Sequence, residues 1–363
     1  MKKEKTKYEI IIPLIIFFVI SVISIFSASL SINSKQIVTK QVIWYLIGFI
    51  ILIITPKKII NKIIDNSFIL YLIGNAFLLL LLIFGTEVNG SKCWFILPGI
   101  GSFQPSEFMK LILILTNAKI FNIFDLRYKK RSTKEDIMLF SIIMLTTLIP
   151  SILTFLEPDT GMVIIYFLIS FIMLFVYGIR KSIFIILILI MIISSGVFLY
   201  FYFNYQDNFI SIFGTSFFYR VDRLLDWSNK SGMQLTNALA AIKAAGLFGF
   251  GVGNTPIYIP EPHTDFIFSV FASNFGLTGT LILIITIVIF DVGLLKVANN
   301  TKDKSKKYII IGFVSMILYQ QIQNISMNIG LLPITGITLP FISYGGSSLL
   351  SYMIGITIIL KNN

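Results

Sequence analysis

Charge is scarce in this 363-residue chain: Asp, Glu, Lys and Arg together make up 13%. There is one cysteine, Cys93, and one histidine, His263. A single cysteine excludes an intramolecular disulfide and a cysteine-based metal cluster. No HExxH, GxSxG, Walker-loop or zinc-ligand spacing occurs. No tandem repeat, low-complexity tail or separate soluble domain interrupts the chain, so residues 1–363 read as one unit.

What fills the chain instead is apolar: 56% of residues are hydrophobic, and the mean hydropathy is +0.88. A soluble domain with so little polar surface would aggregate. Apolar runs of about 20 residues recur, each long enough to cross a bilayer core of roughly 30 Å. They are continuous rather than alternating, which argues against a β-barrel. The expected fold is therefore an all-α polytopic membrane protein. Ten spans are expected at roughly 9–30, 38–54, 66–85, 106–123, 137–156, 160–178, 182–203, 266–294, 307–325 and 343–360. The first run follows a basic stretch, as in a signal peptide, but its length and the spans after it favour a retained helix.

The net charge of +12 invites a nucleic-acid reading, and the placement of the charges argues against it. With the N-terminus inside, the inner connections hold 20 of the 29 basic residues. They cluster at residues 2–7, 57–62, 127–134, 180–181, 296–307 and at Lys361. This is the positive-inside bias of a membrane protein, and it places both termini in the cytoplasm. Nucleic acid is not an expected partner; membrane lipid is.

The outer face then receives three segments rich in Gly, Pro and polar residues: 85–110, a long loop over about 204–265 between spans seven and eight, and 328–348. Irregular backbone near membrane depth must be buried in protein or line a wet cavity. Three such segments on one face point to one shared extracytoplasmic site.

Within them, "EPHTDFIFSV" at 261–270 holds His263, Thr264 and Asp265 directly before an apolar run. Prolines at 256, 260 and 262 keep the preceding loop extended. A helix is expected to begin near Thr264, so that Thr264 or Asp265 would serve as N-cap. A helix start would hold the Asp265 carboxylate in its ionised form, which suits a metal ligand or an ionised base. The alternative role is a functional carboxylate at the mouth of a wet cavity. His263 could orient a phosphate or hydroxyl, or be structural.

In "QPSEFMKL", Glu107 and Lys110 are three residues apart and share a helix face. They read either as a functional pair or as a structural ion pair. Upstream, Lys92 and Trp94 precede them, with Trp94 also readable as an interfacial anchor. In "EPDTGM", Asp159 is expected to cap the next helix. The long loop offers Arg220, Asp222, Arg223, Asp226, Lys230 and Lys243. Its glycines 246, 249, 251 and 253 read first as tight turns and second as a phosphate cradle. Gln320, Gln323, Asn324 and Asn328 form a polar stripe on the ninth span, expected to make interhelical hydrogen bonds.

Taken in order, "NGSKCWFILPGIGSFQPSEFMKL", "EPDTGM", "PEPHTDFIFSV" and "LLPITGITLPFISYGGSS" resemble the SEDS family (shape, elongation, division and sporulation), which includes RodA, FtsW and SpoVE. The likeness covers nearly the full length. It implies a peptidoglycan glycosyltransferase of the bacterial cytoplasmic membrane that polymerises lipid II at the outer face. It implies a growing glycan on undecaprenyl pyrophosphate and a class B penicillin-binding protein as partner. The family's essential aspartate maps onto Asp265, as general base or metal ligand, and its Trp, Glu and Lys onto Trp94, Glu107 and Lys110. With these, Arg220, Lys243 and His263 are the candidate substrate-binding residues, and Mg²⁺ or Mn²⁺ is the candidate cofactor; no dedicated metal ligand set is assigned. The chain departs from the family at Cys93, where arginine is usual, at Lys243, and at Ser273 and Asn274, where an acidic pair is usual. A lipid II flippase and a non-catalytic scaffold remain as other readings.

Overall fold

Each of the ten expected apolar segments forms a helix in the computed structural model, which describes residues 2–88, 91–97, 101–215, 218 and 232–362. The first five helices are α1 (Lys2–Ser31), α2 (Gln36–Ile54), α3 (Lys57–Asp65), α4 (Ser67–Phe84) and α5 (Pro105–Arg127). Next come α6 (Thr133–Leu156), α7 (Thr160–Tyr177), α8 (Lys181–Asn204) and α9 (Gln206–Phe213). The last four are α10 (Met233–Ala244), α11 (Ile267–Asn300), α12 (Lys304–Asn328) and α13 (Gly346–Asn362). Among the described residues eight helices are long and apolar enough to cross a membrane. The other two expected spans are α5, which carries Glu107, Lys110 and Lys119, and the 17-residue α13.

The bundle is polar at its centre. α5 and α12 pack against each other and against α7, and they bury Glu107, Lys110, Thr116 and Asn117 on one side and Gln320, Gln321, Gln323 and Asn324 on the other. Lipid tails are as apolar as leucine, so helices in a bilayer associate through packing and hydrogen bonds rather than through hydrophobic burial. The two most polar spans are therefore the innermost. At the opposite extreme, none of the apolar window of α8 is buried, and its chief packing partner is α9.

Two further pairings position the site. α1 lies along α11 and α2 along α13. The ion pair Glu9–Lys296 (2.7 Å) ties α1 to α11 among the basic segments. From α1 and α2, Ser21 donates to the Ile342 carbonyl (2.8 Å), Gln41 to the Ser343 carbonyl (3.2 Å), and Tyr45 to the Phe341 carbonyl. These bonds hold 339–346 against the bundle. Phe341 accepts a left-handed φ of 66° there, wrapped by Phe17, Phe290 and Tyr352.

Sequence reading missed a small antiparallel sheet in the first outer segment. Its strands are β1 (Thr86–Val88), β2 (Ser91–Leu97) and β3 (Gly101–Phe103), in that order. Thr86 pairs with Trp94, and Phe95 with Phe103. From β2, Ser91 donates to the Pro158 carbonyl (3.4 Å) and the Cys93 thiol to the Glu157 carbonyl (3.2 Å), so the sheet grips the turn between α6 and α7.

Candidate functional site

Three consecutive carbonyls of the "HTD" stretch are each held by a donor from elsewhere in the chain. The His263 carbonyl accepts from the Tyr344 N–H (2.8 Å). The Thr264 carbonyl accepts from Ser343 Oγ (2.7 Å). The Asp265 carbonyl accepts from Nδ2 of both Asn324 and Asn328, each at 2.9 Å. Asn324 also donates to the Ile337 carbonyl (2.8 Å), joining the two loops through one side chain. Asn328 accepts from the Ser269 N–H (3.2 Å) and Oγ (2.5 Å) in the first turn of α11. The polar stripe on the ninth span thus binds mostly loop and turn backbone rather than neighbouring helices. The interhelical bonds are those of Gln320, donating to Tyr352 of α13 (2.9 Å), and of Asn328 with Ser269 of α11.

This arrangement overturns the expected N-cap. α11 begins at Ile267 and its N-cap is Phe266, without a side-chain bond. Residues 261–266 form a tight turn in which Thr264 and Phe266 N–H both return to the Glu261 carbonyl (3.3 Å). Glu261 takes a φ of 44° to make that turn. Once the turn is clamped, the helix starts two residues after Asp265, so no helix N-terminus stabilises its carboxylate. Burial pushes the Asp265 carboxyl up to about 7, with Glu261 and then Asp159 adding to the rise. Among the described residues no hydrogen bond engages the carboxylate itself. Gly336 leaves room beside it: a Cβ there would lie 3.9 Å from Oδ2.

Asp159 is the N-cap of α7, as expected, accepting from the Met162 N–H (3.3 Å). It does more than cap. Its other oxygen accepts from Gln104 (3.0 Å) and Ser106 (3.5 Å) at the start of α5. The same helix start packs against 333–345, because a Cβ on Gly161 would meet the Thr335 carbonyl at 2.9 Å. That contact brings Asp159 within electrostatic reach of Asp265. Burial raises the Asp159 carboxyl to about 6 and, with Asp159 beside it, the Glu157 carboxyl to about 8. Sequence reasoning placed Asp159 as a cap alone. The signal for more was its position among the outer carboxylates.

Glu107 and Lys110 form an ion pair at 2.6 Å with both side chains buried. The Lys110 ammonium also sits 5.1 Å from the Tyr352 ring centroid. Ser351 donates to the Glu107 carbonyl (2.8 Å), fastening α13 to α5 at the same level. His263 is partly buried, its ring 5.6 Å from that of Tyr344; burial lowers its pKa, against the pull of Glu261. Trp94 is half-buried in β2, and Lys243 is exposed in the last turn of α10. Arg220, with Asp222, Arg223, Asp226 and Lys230, lies outside the described residues.

The glycines of 246–253 are turns rather than a phosphate cradle. α11 is kinked at Gly276 (φ 62°, ψ −161°), and the glycine segment satisfies the backbone groups that the kink frees. Phe250 and Gly251 N–H donate to the Ser273 and Asn274 carbonyls (3.0 Å each), and Leu277 and Thr278 N–H donate to the Gly246 and Leu247 carbonyls (3.0 and 3.1 Å). Asn274, at one of the family-divergent positions, accepts from Ser27 of α1 (3.2 Å) and Thr255 (3.1 Å).

Among the described residues no three His, Cys, Asp or Glu side chains converge in a way that would hold a metal ion. A resident cation caged by protein alone therefore does not fit these residues.

Comparison with known proteins agrees with this architecture. The profile of the family described as "Cell cycle protein", the FtsW, RodA and SpoVE group, matches residues 7–363. A probable peptidoglycan glycosyltransferase FtsW of Coxiella burnetii is 32% identical, covering 99% of this chain and 98% of the relative. Stage V sporulation protein E of Bacillus subtilis is 33% identical over 76% of this chain and 72% of its own length. Among solved structures, a chain of a peptidoglycan synthase complex superposes with a TM-score of 0.75 at 23% identity, covering 96% of both chains. The rod shape determining protein RodA of Thermus thermophilus superposes with a TM-score of 0.64 at 24% identity, covering 96% of this chain and 94% of that one. This chain belongs to the FtsW, RodA and SpoVE family.

Proposed function

We propose that this protein is a peptidoglycan glycosyltransferase of the bacterial cytoplasmic membrane, polymerising lipid II at the outer face with Asp265 as general base. The observation that carries the reading is the Asp265 turn: three backbone carbonyls fixed by donors and one carboxylate left free. A base works best when its pKa lies near the operating pH. Burial raises this carboxyl to about 7, whereas a solvated aspartate would be a far weaker base.

In the proposed step the donor is the growing strand on undecaprenyl pyrophosphate. The acceptor is the 4-hydroxyl of the N-acetylglucosamine of lipid II. Its proton passes to the Asp265 carboxylate as its oxygen bonds to the anomeric carbon of the donor's terminal N-acetylmuramic acid. The bond from that carbon to the pyrophosphate oxygen breaks, the electron pair leaves with the pyrophosphate, and the configuration inverts. Lys243, in the last turn of α10, and Arg220, earlier in the chain between α8 and α11, are the cations assigned to the departing charge. Trp94 and His263 are assigned to orienting the sugars. Lys110, buried and paired with Glu107 at 2.6 Å, is the third cation assigned to the departing charge, on the same helix whose start, at Gln104 and Ser106, holds Asp159. No step is routed through a metal ion.

Both termini are placed in the cytoplasm by the positive-inside bias. A class B penicillin-binding protein is the proposed partner, a reading supported by the likeness to a chain of a peptidoglycan synthase complex. The test is a polymerisation assay with lipid II and a partner whose transpeptidase serine is inactivated, run with Mg²⁺ and with chelator. Glycan ladders from the wild type and none from Asp265→Asn are expected. Ladders of normal length from that variant would refute the assignment.

A further inference from the structure

The segment that leads into the Asp265 turn is uncharged for 17 residues, from Ala244 to Pro260. Ala245, Ile257 and Ile259 pack inward, but the largest of its other side chains do not. Leu247 is 58% exposed, Phe248 77% and Tyr258 61%. Phe250 and Val252 are also exposed. Exposed apolar groups gathered in one short segment mark a contact surface.

The backbone beneath them is rigid. Gly246 and Gly249 hold left-handed φ values of 59° and 76°. A Cβ on Gly249 would lie 2.4 Å from the Asn274 carbonyl oxygen, and one on Gly276 would lie 2.5 Å from the Leu247 oxygen. Four backbone hydrogen bonds cross between the segment and the kink of α11. Leu247 and Phe248 are thus presented on a fixed support rather than on a wandering loop.

What they continue identifies their partner. The Leu247 carbonyl is bonded to Thr278, and from there α11 presents Leu277, Leu281, Ile282 and Ile285 outward, each about half exposed or more. These are the outward side chains of a helix long and apolar enough to span a bilayer. Leu247 and Phe248 extend that face at its outer end. Lys243 lies on the other side of the turn, on the face of α10 that also carries Thr236, while Leu235, Ala238 and Ala241 pack inward. Apolar side chains beside a lysine, with a tyrosine nearby, are the arrangement found where protein meets the membrane–water boundary.

We infer that residues 247–252 form a membrane-inserted wedge, with Leu247 and Phe248 seated in the outer leaflet, and that Tyr258 lies at the headgroup level. The wedge anchors the chain immediately before the Asp265 turn. It sets the site at the depth where the headgroup of a lipid-linked ligand lies. The lipid contact itself does not depend on the proposed reaction.

The test uses the full-length protein in phosphatidylethanolamine–phosphatidylglycerol vesicles, in a Cys93→Ser background. Single cysteines replace Leu247, Phe248 or Tyr258 and carry a nitroxide label. Lys243→Cys serves as the water reference and Leu281→Cys as the bilayer reference. Collision rates with oxygen and with a water-soluble nickel chelate are compared. At 247 and 248 the ratio of oxygen to nickel accessibility should exceed that at 243 severalfold and approach that at 281; at 258 it should fall between. Nickel accessibility at 248 equal to that at 243 would place the segment in water and overturn the inference. Low accessibility to both reagents would mean that another protein copy covers it, and would overturn the lipid assignment as well. Because the readout is independent of polymerisation, a failed activity assay leaves it intact.

Discussion

Nδ2 of Asn324 donates to two carbonyls at once, that of Asp265 at 2.9 Å and that of Ile337 at 2.8 Å. One side chain near the end of α12 therefore sets the spacing between the two segments that flank the Asp265 carboxylate. Asn324→Leu removes both bonds; the Asp265 carbonyl keeps its bond from Asn328, and the Ile337 carbonyl is left without this partner. That orphaned group costs about 1–3 kcal/mol. The expected outcome is a lower thermal midpoint and a polymerisation rate reduced at least tenfold. Asn328→Ala should act in the same direction but less on the site, because Asn324 still joins the Asp265 and Ile337 carbonyls. Detergent-solubilised thermal unfolding and the lipid II assay, run together, separate loss of fold from loss of geometry. Wild-type rates in Asn324→Leu would show that the clamp does not set the site.

The glycine lock makes a sharper steric claim. Gly249→Ala places a methyl group 2.4 Å from the Asn274 carbonyl oxygen, at a φ of 76° that alanine disfavours. Backbone, not a flexible side-chain end, must give way. The same change at Gly246, whose φ is also positive, meets nothing within 4 Å. Gly246→Ala should therefore cost only the conformational strain of about 1–2 kcal/mol, and Gly249→Ala clearly more. Thermal unfolding of the two variants side by side decides the matter. Equal losses would mean that the segment yields to the clash.

Glu107 and Lys110 test whether a buried pair is a stabilising feature or a fixed cost. Removing one partner leaves the other charge buried and uncompensated, a loss of about 3–5 kcal/mol. Glu107→Leu alone should accumulate poorly or melt far below the wild type. Replacing both, as Glu107→Leu with Lys110→Met, should recover most of that stability, since apolar pairs of similar volume are tolerated at such sites. Yield after detergent extraction and thermal midpoints measure both. A double variant no better than the single one would mean that each charge serves another partner, with Tyr352 and Asp159 the first to examine.

The spans were legible because an apolar run of bilayer length is a local property. The Glu107–Lys110 pair and the Asp159 cap were legible because they depend on spacing within four residues. The clamp was half legible. The period of Gln320, Asn324 and Asn328 announces a polar face, but its partners are backbone carbonyls in loops, and no side-chain pattern encodes those. The expected cap at Thr264 or Asp265 failed for the same reason: donors from α12 and from 343–344 hold the turn, and the helix starts only after it. The three-stranded sheet was hidden by its short strands among glycines and prolines. Gly249 and Gly276 are 27 positions apart, so their approach is visible only once the chain is folded.

The pH dependence follows from the neighbours of Asp265. A general base must be ionised, so the rate should rise with pH through about 7, where burial, Glu261 and Asp159 together hold this carboxyl. Burial is the largest of the three, and no surface substitution removes it. The limb should therefore stay above the ordinary carboxylate range in any variant that folds. Glu261→Gln and Asp159→Asn each remove a neighbouring negative charge, which makes ionisation of Asp265 easier and moves the limb to lower pH. Asn caps a helix about as well as Asp, so Asp159→Asn keeps α7 capped. The Glu261 side chain is exposed, and salt screens exposed charges. Its effect should shrink as ionic strength rises, while that of the less exposed Asp159 persists better. Rates measured from acid to alkaline pH at low and high salt, for the wild type and both variants, check the sign and the salt response. A limb unmoved in both variants would belong to a group other than Asp265.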